Sequence, residues 1–161
     1  MKKLILIPLI LIAALAFAQK DKDKETSDPW AGRWKFDAAQ SKLHVPPARE
    51  EIIIAEPTGA DHMTVKYTIQ GTAADGSAIN ESFDGRADGK PYPLIVDSKE
   101  VGKIIYHRDS VNQYSSQSTA IGGGTATGTI ILSPDEKTFT VKEHIKDNTG
   151  EYDQIVVYRK K

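Results

Sequence analysis

From Trp30 to the C-terminus, apolar residues recur at every second position rather than at every third or fourth. The clearest stretch is 63–70, where Met, Val, Tyr and Ile alternate with Thr, Lys, Thr and Gln. A β-strand sends successive side chains to opposite faces of a sheet, so this period indicates strands with one buried face. The pattern therefore predicts an all-β domain.

Turn-forming residues divide this pattern into eight to ten short strands. Asp75-Gly76 and the pairs Asp84-Gly85 and Asp88-Gly89 are typical of hairpin turns. Residues 38–43 could form one helical turn before Pro46-Pro47 stops it. The predicted strands cover residues 32–37, 52–54, 63–70, 79–83, 94–96, 101–107, 111–119, 125–132, 139–145 and 152–158.

A meander of this size is expected to close into a barrel or to split into a sandwich. An open sheet would leave its edge strands unpaired and one apolar face in water. We expect a single antiparallel, up-and-down barrel of about 8–10 strands with at most one short helix.

The N-terminus predicts export. Lys2 and Lys3 precede an uncharged apolar run that ends in Ala16-Phe17-Ala18, which is the order found in a secretory signal peptide. We predict a signal peptide at 1–18, a charged disordered tether at 19–30 and a barrel domain at 31–161. The mature protein would then be periplasmic or secreted, with no membrane span after cleavage.

Composition narrows the possible partners. The chain has no cysteine, so an exported domain would have to be stable without disulfides. The formal net charge is −1, and removal of Lys2 and Lys3 makes it −3. Because no basic excess is present, we do not expect nucleic acid as a partner. The oligomeric state is left open.

Several short segments resemble a known family. Gly32-Arg33-Trp34 is similar to the Gly-x-Trp element of lipocalins and related calycin barrels. Residues 34–43, 88–93, 133–140 and 157–160 are similar to segments of small secreted bacterial proteins with a lipocalin-like domain, most of which are uncharacterised. The resemblance implies a barrel with a cavity in which Trp34 closes one end beneath a basic residue, either Arg159 or Lys160.

A polar strand at 111–119 suggests that such a barrel would not be filled by its own side chains. Its inward face would carry Gln113, Ser115 and Gln117, or else Asn112, Tyr114 and Ser116. Small polar groups opposite aromatic rings would leave room for a small apolar molecule. The alternative is an edge strand kept polar against aggregation. The predicted ligand-binding residues are Trp34, Tyr67, Phe83, Gln113, Ser115 and Phe139.

Motifs for catalysis or metal binding are missing from the sequence, so we expect no enzyme activity, no catalytic residues, no metal and no cofactor. Glu143 shares an apolar face, and we expect it either at the barrel rim or paired with Arg108 or Arg159. Two other functions stay open: a packed barrel that binds a protein or the cell envelope through its exterior, and an enzyme of unknown reaction.

Overall fold

The computed structural model describes residues 28–161, so the predicted signal peptide and most of the predicted tether lie outside the described residues. Residues 28–161 contain no helix that is long and apolar enough to cross a membrane. Residues 38–43 form hydrogen-bonded turns and a bridge between Lys42 and Ile155 in place of the expected helical turn. The ten strands are β1 (Gly32–Phe36), β2 (Glu50–Ala55), β3 (Thr64–Thr72), β4 (Ala78–Arg86), β5 (Asp88–Val96), β6 (Lys99–Ser110), β7 (Gln113–Ala120), β8 (Thr125–Leu132), β9 (Thr138–Asp147) and β10 (Gly150–Lys160).

These strands form one closed antiparallel barrel. Each strand pairs with its neighbours in the chain, and β1 pairs with β10 to complete the ring. At this seam Trp34 lies opposite Lys160, and Phe36 lies opposite Tyr158. The prediction of an all-β, up-and-down barrel of eight to ten strands is confirmed.

Two of the predicted turns lie inside strands. Asp84-Gly85 belongs to β4, and Asp88-Gly89 begins β5. Gly85 packs against a neighbouring aromatic side chain, since a Cβ atom there would lie 2.6 Å from Cγ of Tyr92. The glycine thus allows close packing within the strand. From the sequence alone, a glycine needed for such packing cannot be told from a glycine in a turn.

Two tryptophans close the end of the barrel where β1 begins. Trp34 is fully buried, and its indole N–H donates a hydrogen bond of 3.0 Å to the carbonyl oxygen of Trp30. The indole N–H of Trp30 donates to the carbonyl oxygen of Val111, 2.9 Å away in the β6–β7 turn. The tether was predicted to include Trp30, but this residue is 9% exposed and belongs to the core.

Charged groups fix the segment that precedes Trp30. The Asp28 carboxylate lies 3.1 Å from Nδ1 of His62 and 3.7 Å from Nη1 of Arg108. The Lys160 ammonium donates to the carbonyl oxygen of Pro29 at 3.0 Å. The packed domain therefore includes Asp28, three residues before the predicted start at Ala31.

We predict that Trp30→Ala lowers the free energy of unfolding by about 3–5 kcal/mol, because it leaves a cavity in the core. The substitution removes the edge-on contact with Tyr114, whose ring centroid lies 5.0 Å away, and the hydrogen bond to Val111. Urea unfolding followed by circular dichroism measures the change. Val45→Ala, at a side chain that is 55% exposed, is the control with little expected effect. Equal stability of the two variants would contradict the core position of Trp30.

A candidate ligand-binding cavity

The barrel encloses a cavity of about 330 Å³. Its closed end is formed by Trp30, Trp34 and Phe139, and Tyr67, Tyr106, Tyr114 and Tyr158 add aromatic surface. The polar side chains in the wall include two serines and two glutamates. The aliphatic wall includes Ile53, Val65, Ile69, Leu94, Ile104, Ile130, Val141 and Val156, and the polar residues of the wall include Ser116, Ser118, Glu81, Glu143, Thr64 and Lys66.

A pair of tyrosine hydroxyls lies within the barrel. The hydroxyl oxygens of Tyr67 and Tyr106 are 3.3 Å apart, and either can donate to the other. Burial raises the pKa of Tyr106 to about 12 and that of Tyr67 well above its ordinary value, so both hydroxyls keep their protons at neutral pH. Each hydroxyl carries one proton, and one of the two O–H groups donates to the other hydroxyl. The second O–H is therefore free to donate to a bound molecule.

Glu143 lies in the cavity wall and accepts a hydrogen bond from the Gln154 amide at 2.8 Å. Neither arginine considered from the sequence is its partner: Arg108 pairs with Asp28, and Arg159 pairs with Asp37. Glycine at position 128 keeps the space beside the carboxylate open. A Cβ atom there would lie 2.8 Å from the Ser116 hydroxyl oxygen and 3.4 Å from Cγ of Glu143.

A second carboxylate, that of Glu51, accepts a hydrogen bond from the hydroxyl of Tyr158. Burial raises the pKa of Glu51 above its ordinary value, and the bond from Tyr158 opposes that shift. Burial also raises the pKa of Tyr158 well above its ordinary value, with the Glu51 charge acting in the same direction. The Tyr158 hydroxyl therefore keeps its proton at neutral pH and donates a hydrogen bond to the Glu51 carboxylate.

Glu81 has no such partner among residues 28–161: none of the side-chain hydrogen bonds or ion pairs in this part of the chain includes it. Burial raises the pKa of its carboxyl from 4.5 to about 7, and the charges of Glu51 and Glu143 add to the rise. At neutral pH this group is thus close to half ionised. Within the described part of the chain, no three histidine, aspartate or glutamate side chains are arranged to hold a metal ion.

The structure brings three of the predicted ligand-binding residues to the cavity: Trp34, Tyr67 and Phe139. Phe83 lies behind that surface and is only 1% exposed. Its ring stacks on Tyr67 with a centroid distance of 5.5 Å and meets Tyr106 edge-on at 5.2 Å. Phe83 therefore positions the two tyrosines and does not line the cavity.

Gln113 and Ser115 are not brought to the cavity, and this corrects the choice of the inward face of β7. Both side chains hydrogen-bond the exposed Asp109 carboxylate, at 3.2 Å and 3.1 Å respectively. The inward residues are Tyr114 and Ser116, the alternative that the sequence had left open. Tyr114 decides the register because its ring packs against Trp30, and burial of that ring outweighs burial of polar groups.

Lys160 and Arg159 are the two candidates for the basic partner of Trp34, and their side chains lie on opposite faces of β10. The Lys160 ammonium lies 4.9 Å from the centroid of the Trp34 ring, within the range of a cation–π contact. The Arg159 guanidinium hydrogen-bonds Asp37 instead and is exposed to solvent. The structure therefore places Lys160, and not Arg159, over the tryptophan.

Fold and cavity together define an up-and-down β-barrel with an internal space. No family model and no curated protein matches the chain. Among solved structures it is similar to a redesigned β-barrel, b11L5F_LGL, with a TM-score of 0.51, 12% identity and coverage of 83% of this chain and 92% of that one. Another redesigned barrel, mFAP1 bound to DFHBI, has a TM-score of 0.46 and 14% identity, with coverage of 82% and 95%. The likeness at this identity concerns the fold alone.

We predict that Glu81→Gln stabilises the protein above pH 7 and changes its stability little below pH 4.5. The carboxyl has a pKa of about 7 when folded against 4.5 ordinarily, so the folded state resists ionisation. The resulting cost is absent below pH 4.5, develops between pH 4.5 and 7, and reaches about 3 kcal/mol above pH 7.

Urea unfolding of the wild type and the variant at pH 4, 6 and 8 measures this difference. Asp84→Asn is the matched control, because it neutralises an exposed carboxylate on the same strand. A gain from Glu81→Gln that is the same at all three pH values would contradict the prediction.

Proposed function

We propose that this protein binds a small, largely apolar molecule inside the barrel. The observation that carries the proposal is the cavity of about 330 Å³ with aromatic and aliphatic walls. Ligand pockets of proteins commonly have volumes of about 300–1,000 Å³ and mostly apolar walls with a few polar groups. A barrel that works only through its exterior has no need of such a space, so the cavity favours binding inside it.

The polar groups of the wall would orient the ligand. The free O–H of the Tyr67–Tyr106 pair is a donor, and the hydroxyl of Ser116 can donate or accept. The carboxylates of Glu81 and Glu143 are acceptors when ionised. We assign binding without turnover to this site, with no cofactor.

Export and membership of a lipocalin-like group belong to the same proposal. Export is supported by the basic start and the short apolar run that ends at Ala18. The lipocalin-like assignment is supported by the Gly32-Arg33-Trp34 element and by the Lys160 ammonium above the Trp34 ring. A barrel of this kind would carry or sequester its ligand outside the cytoplasm.

We predict that the neutral dye N-phenyl-1-naphthylamine binds in the cavity and that Ala126→Phe weakens its binding at least tenfold. Ala126 lines the cavity, so a phenyl ring there would occupy part of the space. Thr127→Phe is the matched control, because the next residue of β8 is exposed on the outer face. Fluorescence titration measures the affinity, since the emission of the dye rises in apolar surroundings.

Equal affinity of the two phenylalanine variants would place the dye outside the barrel. No fluorescence change with the wild type, in a protein whose circular dichroism shows it folded, would argue for the alternative of a barrel that acts through its exterior. Circular dichroism of both variants separates loss of binding from loss of folding.

A further inference from the structure

The interior of the barrel carries negative charge without a matching positive charge. Glu51, Glu81 and Glu143 come from three different strands and interact electrostatically within the barrel. Glu51 and Glu143 each accept one neutral hydrogen bond. Every ion pair formed within residues 28–161 uses other acidic groups, so no lysine, arginine or histidine of this part neutralises the three.

Two of the basic residues next to the cavity are engaged at its closed end. Arg108 pairs with Asp28 and lies over the ring of Tyr114, and Lys160 lies over Trp34. Lys66 of β3 also borders the cavity, but its side chain is exposed and forms no ion pair with any of the three glutamates. The ionisable groups that interact with Glu81 are all acids. They are Glu51 of β2, Tyr67 of β3, Tyr106 of β6, Glu143 of β9 and Tyr158 of β10.

Carboxylates beside aromatic walls have the composition of a site for an organic cation. A carboxylate in surroundings of low dielectric attracts an ammonium group strongly, provided that the two come into contact. Faces of Tyr and Trp rings add an attraction of their own to an organic cation. The aliphatic wall would hold the apolar remainder of such a molecule.

We propose that the cavity selects a positively charged ligand, an apolar organic amine whose ammonium group pairs with Glu81. This inference rests on the proposed function, because it concerns the same cavity. A bare metal ion fits less well, since no three potential ligands within residues 28–161 converge on one point. An anionic ligand would meet the three carboxylates and be repelled.

The test uses three probes that share one ring system and differ in charge. They are 2-(1-naphthyl)ethylamine, 2-(1-naphthyl)ethanol and 1-naphthylacetic acid. Their affinities at pH 8 are measured by displacement of N-phenyl-1-naphthylamine and, in parallel, by direct calorimetric titration. We expect the amine to bind at least tenfold more tightly than the alcohol, and the acid to bind less tightly than the alcohol.

Two variants assign the preference to Glu81. Glu81→Gln should reduce the affinity of the amine at least tenfold and that of the alcohol much less, because the glutamine side chain keeps an oxygen that accepts a hydrogen bond. Asp84→Asn removes the same charge from the outer face of the same strand, and should preserve the preference for the amine. A preference that survives in Glu81→Gln would overturn the role of this residue.

The effect of pH gives an independent readout. An ammonium group binds the ionised carboxylate, whose pKa in the free protein is about 7. The affinity of the amine should therefore rise several-fold from pH 6 to pH 8, while that of the alcohol should change much less. A pH-independent affinity of the amine would contradict pairing with Glu81.

The outcomes separate the two proposals. Equal binding of amine and alcohol to the wild type would overturn the preference for a cation and leave the ligand-binding cavity in place. If the dye, the amine and the alcohol all fail to bind, in displacement and in calorimetry, the ligand-binding function itself is wrong. Tight binding of the amine that Glu81→Gln abolishes, with a much smaller effect on the alcohol, establishes the proposed selectivity.

Discussion

Closure of the barrel depends on the contact between its first and last strands. Only three residues of β1, Trp34 to Phe36, pair with β10, so this seam has few backbone hydrogen bonds of its own. Side chains on both faces reinforce it: Arg159 bonds Asp37 outside, and Lys160 covers Trp34 at the closed end. Without this seam two strand edges would be open to pairing with other chains.

The seam continues beyond the last residue of β1. Lys42 exchanges backbone hydrogen bonds with Ile155, and the Ser41 hydroxyl accepts a hydrogen bond of 2.9 Å from the backbone N–H of Val157. The loop that follows β1 thereby takes over part of the pairing that the short strand cannot provide. The two tryptophans pack at the other end of this seam, where β1 begins, so Trp34 takes part in closing both the ring and the end of the barrel.

The sequence was sufficient for the fold because several strands show their apolar face clearly. In β3, Val65, Tyr67 and Ile69 point inward as their alternation with polar residues required. In β7 most positions on both faces are polar, so the pattern gave little reason to choose Gln113 and Ser115 or Tyr114 and Ser116. The ring of Tyr114 decides the register by packing against Trp30. Trp30 had been predicted to belong to the tether, because the residues before it are charged.

The positions of the cavity carboxylates could not be predicted from the sequence, because they depend on contacts between residues that are far apart in the chain. Glu81 of β4 and Glu143 of β9 lie five strands apart in the chain order, and closure of the ring places both in one interior. Glu143 could be assigned to an apolar face, but its partner Gln154 follows from the register of β9 with β10.

An unpaired carboxylate inside the barrel lowers the stability of the folded state, and a cation bound in the cavity would reduce this cost. An apolar residue at position 81 would pack against Ile69 and Val96, its partners on either side, without any cost of ionisation. Retaining the charge weakens the folded state and at the same time makes it responsive to a molecule that neutralises the charge. Binding of a cation would stabilise the folded barrel to an extent set by the affinity and concentration of that cation, because the ligand binds only the folded state. At the closed end, where Asp28 pairs with Arg108 and the two tryptophans are buried, packing contributes stability that opposes this cost.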